Sequence, residues 1–306
     1  MRSVKPSISR SRLSPIAHAA DGHSWPHGLR LGSVAMWKQR INRVLVKTIG
    51  YQLQRPTTPE AVPAVVETAP KPAPEVGTPR ALPAHYDDAA KAVIKRVKPR
   101  TMTGHQKLFG LVLATRYLAK HDIPGDFVEC GVWRGGSMQA VALTLLEVGV
   151  KDRDLHLFDT FEGMPPPTEK DVRHDGIPAA HLLETQDQSS AVWAVATLDD
   201  VQAGMADIEY PAERIHFHQG LVEHTIPDQA PERIAMLRLD TDWYESTRHE
   251  LEHLYSRLSP GGVLIIDDYG HWEGSRRAVE EFLTHTGAPL LLLPTSTGRM
   301  AVKPGF

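Results

Sequence analysis

From about residue 86 to its end, the chain alternates two patterns: short apolar runs of strand length, and segments whose apolar residues recur every three or four positions. The helical period predicts helices over residues 89–97, 105–121, 137–148, 191–206, 246–258 and 275–284. Strands are predicted over residues 127–129, 155–158, 215–218, 234–239 and 263–266, the last preceded by the turn sequence Ser259-Pro260-Gly261-Gly262. Residues 290–293 and 299–303, split by the polar stretch 294–298, read as a closing hairpin. Strands alternating with helices imply an α/β fold: a mostly parallel sheet wound on both faces, with an antiparallel end. About 220 residues suffice for one large core of this kind.

The first third of the chain follows neither pattern. Residues 1–35 mix Ser, Arg, His and Gly without periodicity, a composition that predicts disorder. Over residues 37–53, Trp37, Ile41, Val44, Leu45 and Ile49 recur at helical spacing with Lys38, Arg40, Arg43 and Lys47 interleaved. A basic amphipathic helix of this sort can lie on an anionic membrane, dock on a partner, or pack on the protein's own body, and the sequence leaves the three open. Eight prolines between Pro56 and Pro83 then predict an extended Pro/Ala spacer. The expected organisation is an N-terminal extension over 1–85 and one catalytic domain over 86–306.

Two of the apolar runs end abruptly in carboxylates: Leu239-Asp240-Thr241-Asp242 and Ile265-Ile266-Asp267-Asp268. Ligands in open α/β sheets bind just beyond the carboxyl ends of the strands. Acidic side chains gathered there repel one another unless a cation or held protons offset their charge. Oxygen-only ligands suit a hard ion such as Mg²⁺. Asp after a strand is also a common helix cap or turn former. Two such pairs on neighbouring core strands favour the metal site.

The first strand-to-helix turn, Cys130-Gly131-Val132-Trp133-Arg134-Gly135-Gly136-Ser137, permits tight turning and close approach of a ligand to bare backbone. It has neither the G-x-G-x-x-G spacing of a dinucleotide site nor a phosphate-loop lysine. The second strand ends in Asp159, where a carboxylate can accept both hydroxyls of a ribose. Together these features point to an adenosine-type cofactor.

Four segments carry a family resemblance: IPGDFVECGVWRGGSM from Ile123, LFDTFEGMPPP from Leu157, LRLDTDWYEST from Leu237 and LSPGGVLIIDDYGHWEG from Leu258. In this order and spacing they resemble the macrocin O-methyltransferase family over about residues 98–303. The resemblance implies a seven-stranded, Rossmann-like class I methyltransferase sheet. It also implies an S-adenosylmethionine- and Mg²⁺-dependent enzyme that methylates a hydroxyl of a sugar or glycosylated small molecule. By the same resemblance Glu129, Gly131, Gly135 and Ser137 line the methionine end of the cofactor. Asp159 and Thr160 take the ribose, Gln219 and Gly220 lie by the adenine, and Met102 and Thr103 close over the cofactor. Asp240, Asp267 and Asp268 hold the metal, and Asp242 is the general base, although it could equally orient the ligands.

The chemistry is consistent with that assignment. A sugar hydroxyl ionises far above neutral pH, so a cation that stabilises the alkoxide and a carboxylate that takes the proton both help. Trp243, Tyr244 and Trp272 can stack on a sugar or fill the core. His271 can touch the acceptor or be solvated. Residues 164–190 read as an acceptor lid or as a variable insertion.

Composition narrows the classes that remain. A net charge of −3 over 306 residues carries no footprint for nucleic acid. The single cysteine, Cys130, excludes a disulfide framework and a thiolate zinc site and fits a cytoplasmic compartment. The sixteen histidines show no H-E-x-x-H spacing, which disfavours zinc. No apolar run of spanning length and no secretory signal is expected. A homodimer is plausible by family likeness. Two other classes stay open: a nucleotide-sugar oxidoreductase, disfavoured by the glycine spacing, and a non-catalytic scaffold, disfavoured by the four acidic residues.

Overall fold

In the computed structural model, which describes residues 81–305, successive residues of each central strand face opposite cores. Phe127 of β1 (Asp126–Cys130) points into one apolar cluster and Val128 into another. Met236 and Leu237 of β4 (Ile234–Leu239) divide in the same way, as do Val263 and Leu264 of β5 (Leu258–Ile266). This period-two alternation of apolar residues on both faces is what a parallel sheet covered on both sides requires.

The sheet has seven strands in the order β3-β2-β1-β4-β5-β7-β6. Here β2 is Leu155–Asp159, β3 Ile215–Gln219, β6 Leu293–Thr295 and β7 Gly298–Val302. Strands β1 to β5 pair in parallel, whereas β7 runs antiparallel to both β5 and β6. The chain winds outward from β1 to β3, then returns to lay β4 on the other side of β1. That reversal opens a crevice beyond the carboxyl ends of β1 and β4, where such folds bind ligands. This is the class I methyltransferase architecture.

Helices α1 (Asp88–Val97), α2 (His105–Lys120) and α3 (Gly136–Glu147) cover the first face through Val93, Leu108, Leu111 and Leu145. The opposite face is closed by α7 (Tyr244–Leu254) and α8 (Glu273–Thr286) through Leu251, Leu254 and Val279. Between them in sequence lie α4 (Ala179–Thr185), α5 (Leu198–Ala206) and α6 (Val222–Thr225). Among the described residues, no helix is long and apolar enough to cross a membrane.

Several expected elements differ in detail. The helix expected over 191–206 is broken: a single 3₁₀ turn, Ala191–Trp193, ends at a left-handed Ala194, and α5 starts only after Thr197. Thr197 caps α5 by accepting from the Asp200 N–H at 3.3 Å, a signal the sequence Thr-Leu-Asp-Asp carried. The helix expected to reach 258 ends at Leu254, passes through a 3₁₀ turn and enters β5 at Leu258. Ser259-Pro260-Gly261-Gly262 is therefore a bulged part of β5 and not a turn before it. Gly261 donates to the Lys303 carbonyl and Lys303 donates to that of Gly262, so the ladder to the last strand continues past the irregularity. The expectations for residues 1–80, including the helix over 37–53 and most of the proline-rich spacer, lie outside the described residues.

Candidate active site

A cavity of about 480 Å³ opens beyond the carboxyl ends of the central strands. Met102, Thr103, Gly131, Asp159, Thr160, Gly220, Asp240, Asp242, Asp267 and Asp268 all line it. Glu129, Gly135, Ser137 and Gln219 do not. Glu129 is fully buried beneath the cavity floor, and Ser137 is buried in the first turn of α3. Gly135, left-handed at φ 80°, caps α3 against Val201. Gln219 is exposed at the end of β3. Gly131 has a packing reason for lacking a side chain: at φ 81°, a Cβ would lie 2.1 Å from the Asp240 carbonyl. The close approach there is strand on strand.

One carboxylate oxygen each of Asp240, Asp267 and Asp268 lies within 4.8 Å of the other two. Asp267 and Asp268 are nearly fully buried, while Asp240 keeps part of its surface in the cavity. Asp268 Oδ2 has no hydrogen-bond partner, and leaving a buried acceptor unpaired is costly. A compact oxygen-only trio with an orphaned atom fits a hard divalent cation in its donor set.

Two basic side chains, neither singled out from the sequence, already share this charge. Arg238, buried in β4, contacts Glu129, lies 2.7 Å from Asp240 Oδ2 and 2.7 Å from Asp267 Oδ1, and donates to Thr103 Oγ1 at 3.1 Å. Lys107, in the first turn of α2, pairs with the Asp267 carboxylate and donates to its carbonyl at 2.9 Å. Burial raises the affinity of Asp267 for its proton, but Arg238 and Lys107 outweigh that and hold it below the usual carboxylate range. Asp240 and Asp268 are held far above it: for Asp240 burial outweighs the opposing pull of Arg238, with neighbouring carboxylates adding to the rise, and for Asp268 burial leads, followed by the charges of Asp242 and Asp267.

Asp242 sits two residues past Asp240 at a left-handed φ of 67°, beside Asp268 and Trp272. Enclosure at the cavity wall and then the Asp240 charge push its carboxyl up to about 7. Two further non-glycine residues are left-handed, Trp133, which lines the cavity, and the buried Phe161, at φ 48° and 55°. Both donate their N–H to the carboxylate of Asp159, at 3.0 and 2.8 Å, and Val132 does so at 2.6 Å. Backbone strain of this sort persists only where the surroundings impose it. Asp159 imposes it by tying the first glycine turn to the end of β2.

The segment after β2 is anchored as a roof over the cavity. Asp171, fully buried, accepts from the Tyr244 N–H at 2.7 Å and from the N–H and hydroxyl of Thr168 at 2.7 and 2.9 Å. His174 donates its N–H to the His271 carbonyl at 2.9 Å, and Glu273 donates to that of Val172 at 2.8 Å. Leu182 and Leu183 of α4 then pack on Trp243 and Trp272, whose rings meet edge-on at 4.9 Å. Trp243 and Tyr244 are thus packing residues, whereas Trp272 and His271 also reach the cavity wall together with Arg173, Leu182 and Gln186.

Residues 41–291 match the family model described as Macrocin-O-methyltransferase (TylF). The match starts well before the extent of about 98–303 expected from the motifs. The chain is 36% identical over 185 residues, 60% of this chain and 67% of the other, to 8-demethyl-8-(2,3-dimethoxy-alpha-L-rhamnosyl)-tetracenomycin-C 4'-O-methyltransferase of Streptomyces olivaceus. It is 34% identical over 187 residues, 61% of this chain and 71% of the other, to Mycinamicin III 3''-O-methyltransferase of Micromonospora griseorubida. The solved structure of the O-methyltransferase NovP superposes with a TM-score of 0.59 at 28% identity, covering 67% of this chain and 82% of that one.

Proposed function

Since this chain belongs to the macrocin-O-methyltransferase family and is an O-methyltransferase, we propose that it transfers a methyl group from S-adenosylmethionine to a hydroxyl of a sugar on a glycosylated small molecule, aided by Mg²⁺. The observation that carries this reading is the convergence of Asp240, Asp267 and Asp268 within 4.8 Å, beside Asp242, on a cavity at the strand-order reversal. The curated relatives named above are sugar or natural-product O-methyltransferases by name, which supports the acceptor class. The nucleotide-sugar oxidoreductase and the inert scaffold find no support in them.

Asp240, Asp267 and Asp268 would hold the cation. Met102, Thr103, Gly131, Asp159, Thr160 and Gly220 would hold the cofactor. When bound, the two supply stabilisation of a developing alkoxide and a sulfonium-activated methyl. The remaining work falls to the chain's own groups. Asp242, with its raised affinity for a proton, takes the hydroxyl proton as the oxygen attacks. Its left-handed backbone sets the direction of the carboxyl at the cavity wall. The anchored roof, through Leu182 and Trp272, keeps water out and aligns the acceptor for in-line transfer.

We place the catalytic body in the cytoplasm, in keeping with its single, buried Cys130. Residues 37–53 are its contact with a membrane surface or a partner, and its working form is a homodimer. A mass-spectrometric screen of glycosides for the gain of one methylene unit, run with Mg²⁺ and with chelator, tests the activity. Asp242→Asn should abolish that gain while retaining S-adenosylhomocysteine binding. Undiminished turnover after exhaustive metal removal would overturn the cation's role.

A further inference from the structure

Arg238 interrupts an otherwise apolar strand, Ile234-Ala235-Met236-Leu237-Arg238-Leu239, and only 4% of its side chain is exposed. A guanidinium in that position must find several fixed partners to offset its loss of water. It finds four, on four different elements: Glu129 of β1, Thr103 ahead of α2, Asp240 at the end of its own strand, and Asp267 at the end of β5. Two of those partners belong to the carboxylate trio. Another, Thr103, belongs to a short segment, with Met102 and Gly104, that also lines the cavity.

That segment is itself held by few bonds. The Thr103 N–H donates to Thr101 Oγ1 at 3.0 Å, Lys98 donates to the Thr103 carbonyl at 3.2 Å, and Met102 stands 47% exposed. Its one tie to the sheet among these is the 3.1 Å bond from Arg238. One turn later, Lys107 joins the same stretch of chain to Asp267. The stretch from Thr103 to Lys107 therefore touches the trio twice, each time through a cation.

We propose that Arg238 is a positioning residue that couples the two subsites: a divalent cation on the trio and an adenosyl ligand beneath Thr103 strengthen each other's binding through its shared guanidinium. This rests on the function proposed above. Asp240 and Asp267 divide their lone pairs between Arg238 and whatever cation they hold. A divalent cation drawing on those oxygens leaves the guanidinium more fully available to Glu129 and Thr103, and so steadies the Thr103 segment. Conversely, a ligand that orders the Thr103 segment fixes the guanidinium and with it the two carboxylates. Coupling of this kind is reciprocal by thermodynamic necessity, so either ligand must improve the other by the same factor.

The test is calorimetric and needs no acceptor. S-adenosylhomocysteine is titrated into the full chain with and without saturating Mg²⁺, and Mg²⁺ into the chain with and without S-adenosylhomocysteine. The wild type should show the same factor, about 5-fold or more, in both directions. Thr103→Val keeps the shape of the side chain but removes the acceptor for Arg238. Arg238→Lys keeps a charge but loses the planar fork that reaches several partners at once. Because Thr103 would itself hold the cofactor, Thr103→Val should weaken S-adenosylhomocysteine alike with and without Mg²⁺; in it and in Arg238→Lys the factor between the two conditions should largely disappear. Melting curves establish that each variant is folded, and Thr103→Val serves alone if Arg238→Lys is not. A wild type that binds both ligands independently overturns the coupling, as does Thr103→Val with an undiminished factor. A wild type that binds neither ligand overturns the function reading and this inference together.

Discussion

The roof can be released at one carboxylate, which makes Asp171→Ala the most discriminating perturbation outside the carboxylate trio. The Asp171 side chain makes three hydrogen bonds, one to the first amide of α7 and two to Thr168. A helix cap of this type contributes ~1 kcal/mol. The two Thr168 bonds add ~1 kcal/mol each, since hydrogen bonds to a charged group run higher but removing the charge also removes its desolvation cost. The expected loss is about 3 kcal/mol, which for a domain of this size lowers the melting temperature by roughly 6–12 °C. The damage should be local to the roof, whose Arg173, Leu182 and Gln186 line the cavity. KM for the acceptor should therefore rise, while affinity for S-adenosylhomocysteine holds, because the first glycine turn is tied down separately by Asp159. Asp171→Asn, which retains one acceptor oxygen, should fall between. Thermal denaturation followed by circular dichroism, with acceptor kinetics at a temperature where both proteins are folded, reads the two effects. A variant that melts with the wild type and keeps its acceptor KM would refute the idea that this carboxylate holds the roof.

Asp268→Asn should weaken Mg²⁺ binding at least tenfold by calorimetry, yet cost the metal-free protein little stability, since Oδ2 has no partner to lose; a large drop in melting temperature would show that it is bonded after all. Asp159→Ala should lower cofactor affinity by about tenfold or more with Mg²⁺ affinity little changed, and an unaltered cofactor Kd would remove Asp159 from the site. Asp242 must be unprotonated to accept a proton, so kcat/KM should fall as pH falls through its pKa, about 7 without a cation and lower with one. The acid limb should thus move to lower pH as Mg²⁺ rises to saturation, and a limb that stays fixed, or persists in Asp242→Asn, belongs to another group.

The sheet was legible because its strands are covered on both faces. Runs such as Val263-Leu264-Ile265-Ile266 leave no polar face to confuse the period; β1 to β4 begin and end within a residue of their expected places, and β5 ends where expected but starts five residues early, at Leu258. The errors fall where the backbone is irregular for tertiary reasons. Pro260-Gly261-Gly262 has the composition of a turn, but pairing with Lys303, more than forty positions away, keeps it in the strand. The stretch over 164–190 looked like structureless polar chain because α4 is only seven residues long. Its stability comes from Trp243 and Trp272, which are remote in sequence.

The acidic half of the site was readable because four carboxylates at two strand ends stand out against an apolar background. Its basic half was not, though part of the signal was present: an arginine inside a core strand has to be paired. Lys107 offered none, since a lysine in a first helical turn is ordinarily solvated and only the fold brings it to Asp267. The same asymmetry bears on the N-terminal extension. Every proposed site residue lies beyond Arg100, so a chain beginning near residue 86 should keep full turnover on a soluble acceptor. The basic segment 37–53 should then matter only for location, with attachment to anionic liposomes that weakens as salt rises. The family match beginning at residue 41 sets up the opposing outcome. Comparing the two chains in turnover and in liposome flotation decides between them. Equal turnover with lost flotation identifies a tether, whereas a folded but inactive truncation would assign residues 41–85 to the catalytic body and move the domain boundary back to the start of the match.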